Sequence, residues 1–231
     1  CARKRDALAT QNFTAPGDGA APLARLTLEN SAYNDPFALA DCREMTLLGC
    51  RFTGEGALPR LADSLLSACV FTPTAARALW GGVCLNLQGG EMLAPEALFR
   101  AETVTVERMA VNAGGFAGGC REMVLRDARF EGERLFALCS ECRAENVEIL
   151  GDGALRSLTD SSVDFSTLTG DDLLWGARDV VVTDTVIDGD RFGYFSRNLT
   201  LRGCLITGRA PLRFAEDLVL DGCKIVDTAA E

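Results

Sequence analysis

Two stacks of side chains, each repeating every 19 residues, are the features of this sequence best suited to chemistry. The first stack consists of Arg156, Trp175, Tyr194 and Arg213. Aromatic faces flanked by guanidinium groups suit sugar rings that bear carboxylate or sulfate, through stacking and bidentate hydrogen bonds. We therefore predict that this stack binds an acidic carbohydrate. The alternative is that the rings and arginines only shield the surface beneath them.

The second stack is acidic and precedes the first by four residues in each repeat. It contains Glu133, Asp152, Asp171 and Asp190, and it ends in Arg209. Carboxylates about 5 Å apart repel each other by roughly 1 kcal/mol even in water. They therefore either attract a cation or turn into solvent. Calcium accepts carboxylate oxygens in flexible geometry, so Asp152, Asp171 and Asp190 are candidate calcium ligands. A solvated acidic corner is the alternative.

The composition excludes several classes of function. The 231 residues include no histidine, which rules out Ser-His-Asp and Cys-His catalysis and histidine metal ligands. The net charge of -10 argues against nucleic acid as a partner. There is no uncharged apolar stretch of about 18 residues, so we expect no membrane span.

An enzyme remains the alternative to a binding module. A polysaccharide lyase would use calcium to acidify an acidic glycan and an arginine or lysine as base. An inverting glycoside hydrolase would use two carboxylates about 6.5–9.5 Å apart, which Asp152 and Asp190 could provide from two repeats. We favour a non-catalytic binding or scaffold module, because no outward column combines a compact acid, base and nucleophile.

Both stacks depend on a repeat that runs along the whole chain. Equivalent positions stand at 26, 45, 64, 85, 104, 123, 142, 161, 180, 199 and 218, so every step is 19 except the step of 21 from 64 to 85. The two extra residues are expected near Ala75 to Leu79. A degraded unit should cover about residues 6–25, followed by regular units over 26–231.

Three columns of the repeat are apolar, and two are rich in glycine or small polar residues. The third position runs from Leu28 to Leu220 and the eighth from Tyr33 to Ile225 without a polar interruption. A later column, which includes Leu98, is also apolar. The fifth position favours Asn, Asp or Gly, and the tenth favours Gly, as expected at corners with a left-handed backbone.

This pattern predicts one all-β domain over residues 1–231, a parallel β-helix of about 11–12 coils with a 19-residue period. Each coil would contain three short extended segments, and stacking would bury the apolar columns. With coils about 4.8 Å apart, the rod is roughly 50 Å long, and we expect it to be right-handed. Open strand edges at the coil ends, or the faces, would allow homo-oligomers. A leucine-rich repeat is the alternative fold.

The cysteines follow the repeat rather than a metal-binding motif. Cys50, Cys69 and Cys204 share one column, and both cysteines of the Cys139–Cys142 pair fall on core columns. Buried free thiols of this kind indicate a reducing compartment, so we expect a cytoplasmic protein.

The stretches 172–182, 194–199 and 211–212 carry a resemblance to known proteins. They resemble a family of uncharacterised bacterial proteins with pectin-lyase-like parallel β-helix repeats, some of them labelled "predicted hydrogenase". The resemblance implies the β-helix fold and brings no catalytic residues with it. We expect no metal hydrogenase activity, because clustered thiolate ligands are missing from the sequence.

Overall fold

The chain forms a parallel β-solenoid whose coils stack along one axis. The computed structural model describes residues 9–10 and 23–228. The strands in chain order are β1 (Ala9–Thr10), β2 (Thr27–Glu29), β3 (Ser31–Tyr33), β4 (Thr46–Leu48), β5 (Arg51–Phe52), β6 (Ala62–Ser67), β7 (Val70–Phe71), β8 (Val83–Gln88), β9 (Glu91–Met92), β10 (Glu102–Glu107), β11 (Ala110–Asn112), β12 (Arg121–Arg126), β13 (Arg129–Glu131), β14 (Arg143–Glu145), β15 (Glu148–Leu150), β16 (Thr159–Asp164), β17 (Thr167–Thr169), β18 (Arg178–Thr183), β19 (Val186–Asp188), β20 (Arg197–Arg202), β21 (Leu205–Gly208), β22 (Glu216–Asp221) and β23 (Lys224–Asp227).

Two parallel sheets form two sides of the solenoid. The odd-numbered strands make a 12-stranded sheet and the even-numbered strands an 11-stranded sheet. Leu28 pairs with Leu47 and Leu47 with Leu66, which is the predicted step of 19 residues. The predicted period and coil number are therefore confirmed, whereas the right-handed sense stays a prediction. The leucine-rich repeat is wrong, because the described residues contain no α-helix.

The third side of each coil differs from the predicted extended segment. It is a five-residue turn segment whose first, third and fifth residues have a left-handed backbone, as Glu96, Leu98 and Arg100 do with φ of 55°, 57° and 54°. Because of this alternation, the N–H groups of the first and fifth residues point toward the next coil, and the N–H of the third residue points toward the preceding coil. The Leu98 N–H donates to the Ala78 carbonyl and the Arg100 N–H donates to the Gly118 carbonyl, both at 2.9 Å. Coils are thus hydrogen-bonded here without forming strands.

We call this side the turn face and define it by its ten segments. They are residues 37–41, 56–60, 77–81, 96–100, 115–119, 134–138, 153–157, 172–176, 191–195 and 210–214.

The predicted apolar columns form the core between the three sides. From Leu47 to Leu201 the third-position residues are at most 3% exposed. Side chains of one column stack on those of the next coil. The rings of Tyr33, Phe52 and Phe71 show this, with successive centroids 5.1 and 4.8 Å apart. Stacking therefore buries apolar side chains that a single coil would leave exposed to solvent.

The single irregular step lies slightly earlier than predicted. Phe71 pairs with Phe52 at the regular step, but it pairs with Met92 after 21 residues. The two extra residues fall between Phe71 and Arg77, just before the turn segment, and so overlap the start of the predicted region near Ala75 to Leu79.

The predicted degraded coil at 6–25 is described only in part. Strand β1 pairs with Ser31 and Ala32 of β3, as a preceding coil would. Residues 6–8 and 11–22 lie outside the described residues. In the described part of the chain, no helix is long and apolar enough to cross a membrane.

Candidate functional site

The aromatic stack predicted from the sequence lies on the turn face, at the fourth residue of each turn segment. Arg156, Trp175, Tyr194 and Arg213 take this place in four successive coils. The guanidinium carbon of Arg156 lies 5.4 Å from the centroid of the Trp175 ring. The centroids of Trp175 and Tyr194 are 5.4 Å apart with the ring planes at 35°. The structure thus brings the first three side chains into contact.

Two phenylalanines that the sequence analysis did not single out extend this surface. Phe195 and Phe214 are the fifth residues of their turn segments. Their rings stack with centroids 5.0 Å apart and planes 11° from parallel. They are 53% and 59% exposed. The Trp175 ring contacts Phe195 at a centroid distance of 5.2 Å. We call Trp175, Phe195 and Phe214 the aromatic face.

Both phenylalanines have a left-handed backbone, which bulky residues rarely adopt. Their φ values are 55° and 61°. In other coils the same place is taken by Gly81, Gly119 and Gly176, which adopt this conformation without cost. The left-handed conformation costs an L-residue about 1–2 kcal/mol. The signal in the sequence for this surface was a phenylalanine in two consecutive coils, at a place that seven of the other eight turn segments fill with glycine, serine or a charged residue.

Tyr194 is buried, although its column in the sequence suggested an exposed ring. Its side chain lies under the aromatic face, and the residue is only 8% exposed. The ring packs edge-on against Phe195 and Phe214, at interplanar angles of 84° and 88°. Tyr194 therefore supports the two exposed rings, and its own face is not available for stacking.

Three arginines at the edges of the aromatic face lack a carboxylate partner. Arg156, Arg178 and Arg213 form no ion pair within the part of the chain that the structure describes, although neighbouring arginines do. The Arg213 guanidinium lies over Phe214, 5.3 Å from the ring centroid. A groove of about 140 Å³ is lined by Arg178, the two phenylalanines, Ser196 and the ion pair between Arg197 and Glu216. The face thus joins exposed rings to positive charge, in a protein whose net charge is -10.

The acidic stack beside this face bonds the coils to one another. The backbone N–H of Asp171 donates to Oδ1 of Asp152 at 2.8 Å, and the N–H of Asp190 donates to Oδ1 of Asp171 at 2.9 Å. The N–H of Arg209 continues the series to Oδ1 of Asp190 at 2.8 Å. The Arg209 guanidinium also pairs with Asp190, and it holds the pKa of that carboxyl below its usual range.

This arrangement gives little support to calcium binding or acid catalysis. Among the described residues, no three acidic or cysteine side chains converge as a group that could hold a metal ion. Calcium at Asp152, Asp171 and Asp190 stays a prediction that the geometry does not support. A glycosidase acid needs a raised pKa, whereas the pKa of Asp190 is lowered.

Comparison with known proteins places the chain in a family. The family model described as "Protein of unknown function (DUF3737)" matches residues 22–231. The chain belongs to this family. No curated protein matches it in sequence. Neither the pectin-lyase-like label nor the hydrogenase label is confirmed by these comparisons.

Solved structures show a similar fold at very low sequence identity. The structure of PfbA, a surface protein and adhesin of Streptococcus pneumoniae, matches with a TM-score of 0.56 at 8% identity, over 88% of this chain and 85% of that chain. A crystal structure of the same adhesin gives 0.43 at 8% identity, over 94% and 74% of the two chains. The fluoroquinolone resistance protein QnrB1 gives 0.30 at 10% identity, over 90% and 86%. The first of these matches supports the β-helix fold alone.

The described cysteines of this DUF3737 chain are thiols, and all of them except the exposed Cys84 lie on the core columns. All nine described cysteines are free, and Cys139 and Cys142 are 1% and 4% exposed. The contact with the Cys120 thiol, together with burial, raises the pKa of Cys139 to about 12. A protonated, buried thiol is neither a good nucleophile nor a good metal ligand.

Proposed function

We propose that this protein is a non-catalytic binding module whose aromatic face binds an acidic carbohydrate. One observation carries the proposal: Phe195 and Phe214 stack on each other while remaining more than half exposed on a left-handed backbone. Contiguous exposed aromatic rings of this kind mark interaction surfaces. A ligand that covered the rings would provide the burial that the free protein lacks.

The chemistry around the rings favours a sugar with a negative charge. Aromatic faces stack on the apolar faces of sugar rings. Guanidinium groups bind carboxylate and sulfate through paired hydrogen bonds, which a neutral sugar cannot match. Arg156, Arg178 and Arg213 have no internal carboxylate to satisfy them within residues 23–228, so they are free to serve this purpose.

The alternative of a lyase or hydrolase acting on acidic glycans has less support. The acidic stack hydrogen-bonds to backbone N–H groups and to Arg209, and the lowered pKa of Asp190 is unsuited to a general acid. PfbA, with the similar fold, is described as an adhesin. That analogy agrees with a binding surface but identifies no ligand.

The test is calorimetric titration with uronic-acid and sulfated oligosaccharides, with neutral oligosaccharides of equal length as the reference. We expect saturable binding of the acidic ligands only, and weaker binding at higher salt. Phe195→Asn should weaken binding by about tenfold through loss of a stacking contact.

Phe165→Asn is the matched control. Phe165 is also 59% exposed and left-handed, with φ of 51°, but it lies at a different corner. Its substitution should leave binding unchanged. No binding of any acidic glycan, or equal loss in both variants, would reject the proposal. Repeating the titration with and without calcium tests the remaining prediction for Asp152, Asp171 and Asp190.

A further inference from the structure

The fourth-residue column of the turn face is interrupted between its two aromatic parts. Trp80 and Phe99 form the upper part, and the next two coils carry Gly118 and Ala137 at the same place. The missing side chains leave a groove of about 550 Å³ between Phe99 and the exposed side chain of Leu138. This volume is in the range of small-molecule sites.

One wall of the groove is a fixed aromatic pair. The rings of Trp80 and Phe99 have centroids 5.3 Å apart, at an angle of 36°. The indole N–H of Trp80 donates to the Glu96 carbonyl at 2.8 Å, which holds the orientation of the ring. A Cβ on Gly118 would lie 3.1 Å from the Phe99 ring. Glycine at this place therefore keeps the ring accessible from the groove.

The opposite wall is an apolar side chain that the fold leaves in solvent. Leu138 is 71% exposed, the highest value among the large exposed apolar residues of the described chain. It also has a left-handed backbone, with φ of 61°, at a place where the adjacent coils carry Gly119 and Ser157. Solvent exposure and a left-handed backbone are both unfavourable for leucine. A ligand that covered Leu138 would remove the cost of exposure.

The charge at the rim of the groove is positive overall. Arg100 lies over Phe99, 5.3 Å from the ring centroid, and Arg134 lines the lower side. Neither arginine forms an ion pair with any residue of the described chain. Glu96 is the one acidic side chain among the lining residues. The site is therefore apolar between its walls and cationic at its edge.

We propose that this groove binds a small aromatic anion. A flat ring would lie between Phe99 and Leu138, and a sulfonate, carboxylate or phosphate on that ring would contact Arg100 or Arg134. A free sugar fits poorly, because the walls offer few partners for its hydroxyl groups. The site is separate from the aromatic face, so it does not depend on the carbohydrate proposal.

The test uses 8-anilinonaphthalene-1-sulfonate, an aromatic sulfonate whose fluorescence rises in apolar sites. The chain has two tryptophans, Trp80 beside the groove and Trp175 on the aromatic face. In the Trp175→Phe variant, Trp80 is the only donor, and we expect strong energy transfer to one bound probe. The Trp80→Phe variant shortens the aromatic wall of the groove, so we expect weaker probe binding in this variant than in Trp175→Phe.

Substitutions in the groove complete the test. Gly118→Leu should abolish probe binding by filling the space, and circular dichroism shows whether this variant folds. Leu138→Ser removes the lower wall on the surface and should weaken binding without that risk. Arg134→Gln should weaken it by about fivefold. Phe195→Asn and Phe214→Asn, on the aromatic face, should have no effect.

Two results would overturn the proposal. The first is unchanged binding in folded Gly118→Leu and in Leu138→Ser. The second is equal affinity for the uncharged analogue N-phenyl-1-naphthylamine, since recognition would then not involve the anion. Failure of the oligosaccharide titration leaves this result unaffected, because none of the groove variants lies on the aromatic face.

Discussion

The backbone of Gly170 passes so close to Gly151 in the preceding coil that a Cβ on Gly170 would lie 2.5 Å from the Gly151 carbonyl oxygen. Gly151, Gly189 and Gly208 repeat this relationship with their own predecessors, at 1.8 to 2.0 Å. Their φ values lie between 142° and 157°, a region almost exclusive to glycine. This ladder lets successive coils approach at the corner that precedes the acidic stack and the turn face.

Gly170→Ala is therefore expected to destabilise the protein strongly. The backbone region alone costs about 1–3 kcal/mol for a residue with a Cβ, and the clash with Gly151 adds to it. Gly114→Ala is the matched control, because a Cβ on Gly114 meets no heavy atom within 4 Å. Urea unfolding should show a lower midpoint for Gly170→Ala only. Equal midpoints for the two variants would contradict the steric explanation.

The core columns were predictable because each inward-facing position must carry an apolar side chain in every coil. From Leu47 to Leu201, any polar residue would enter a continuous apolar stack, so the pattern is strict. The fifth-position corner was predictable in part. Asn146 and Asp184 are left-handed there as expected, but so is Phe165, which its residue type does not indicate.

The turn face was harder to predict, since no residue type marks its alternating left-handed backbone. Leu98 and Arg100 adopt that conformation although both disfavour it. The alternation turns the fourth and fifth residues of a segment outward together. The column of rings and arginines in the sequence marks only the fourth residue, which includes Tyr194 and omits Phe195, the residue that covers it.

Phe165→Asn should stabilise the protein. Phe165 has φ of 51° and is 59% exposed, so it has a strained backbone and gains little from burial. Asparagine tolerates this conformation, and we expect the free energy of unfolding to rise by about 1 kcal/mol. Thermal and urea unfolding measure the change. Phe165→Leu, which keeps a bulky left-handed residue, should show no such gain; a loss of stability in Phe165→Asn would contradict the expectation.

The Asp190–Arg209 pair should make stability depend on acid pH. Because its folded pKa is lowered, the ionised Asp190 stabilises the native state fully above the ordinary carboxyl pKa. That contribution disappears as the pH falls through the folded pKa. Asp190→Asn keeps an acceptor for the Arg209 N–H but removes the charge. The variant should be less stable than the unmodified protein at neutral pH, and the difference should shrink with acidification.

Unfolding free energies measured from about pH 7 to about pH 2 check this prediction. Asp152→Asn is the control, because Asp152 also accepts a backbone N–H but has no arginine partner among the described residues. A constant difference between Asp190→Asn and the unmodified protein at all pH values would mean that the pair contributes nothing through its charge.

Native thiol labelling should separate the cysteines by exposure. Cys84 is exposed and Cys223 is partly buried, whereas the remaining described cysteines are buried. Iodoacetamide attacks the thiolate, and the pKa of Cys139 is raised to about 12. Contact with Cys139, together with burial, also raises the pKa of Cys142. A short pulse followed by peptide mass spectrometry should find Cys84 modified first, then Cys223, with Cys139 and Cys142 reacting only after unfolding.

Two comparisons make the labelling result decisive. Cys84→Ser should remove the fastest modification among the described cysteines, and Cys1, which lies outside the described residues, is followed by its own peptide. Rapid modification of Cys139 or Cys142 in the folded protein would show that this pair is reachable and reactive. The two thiols would then have to be treated as a redox or metal-binding pair, despite their place on the core columns.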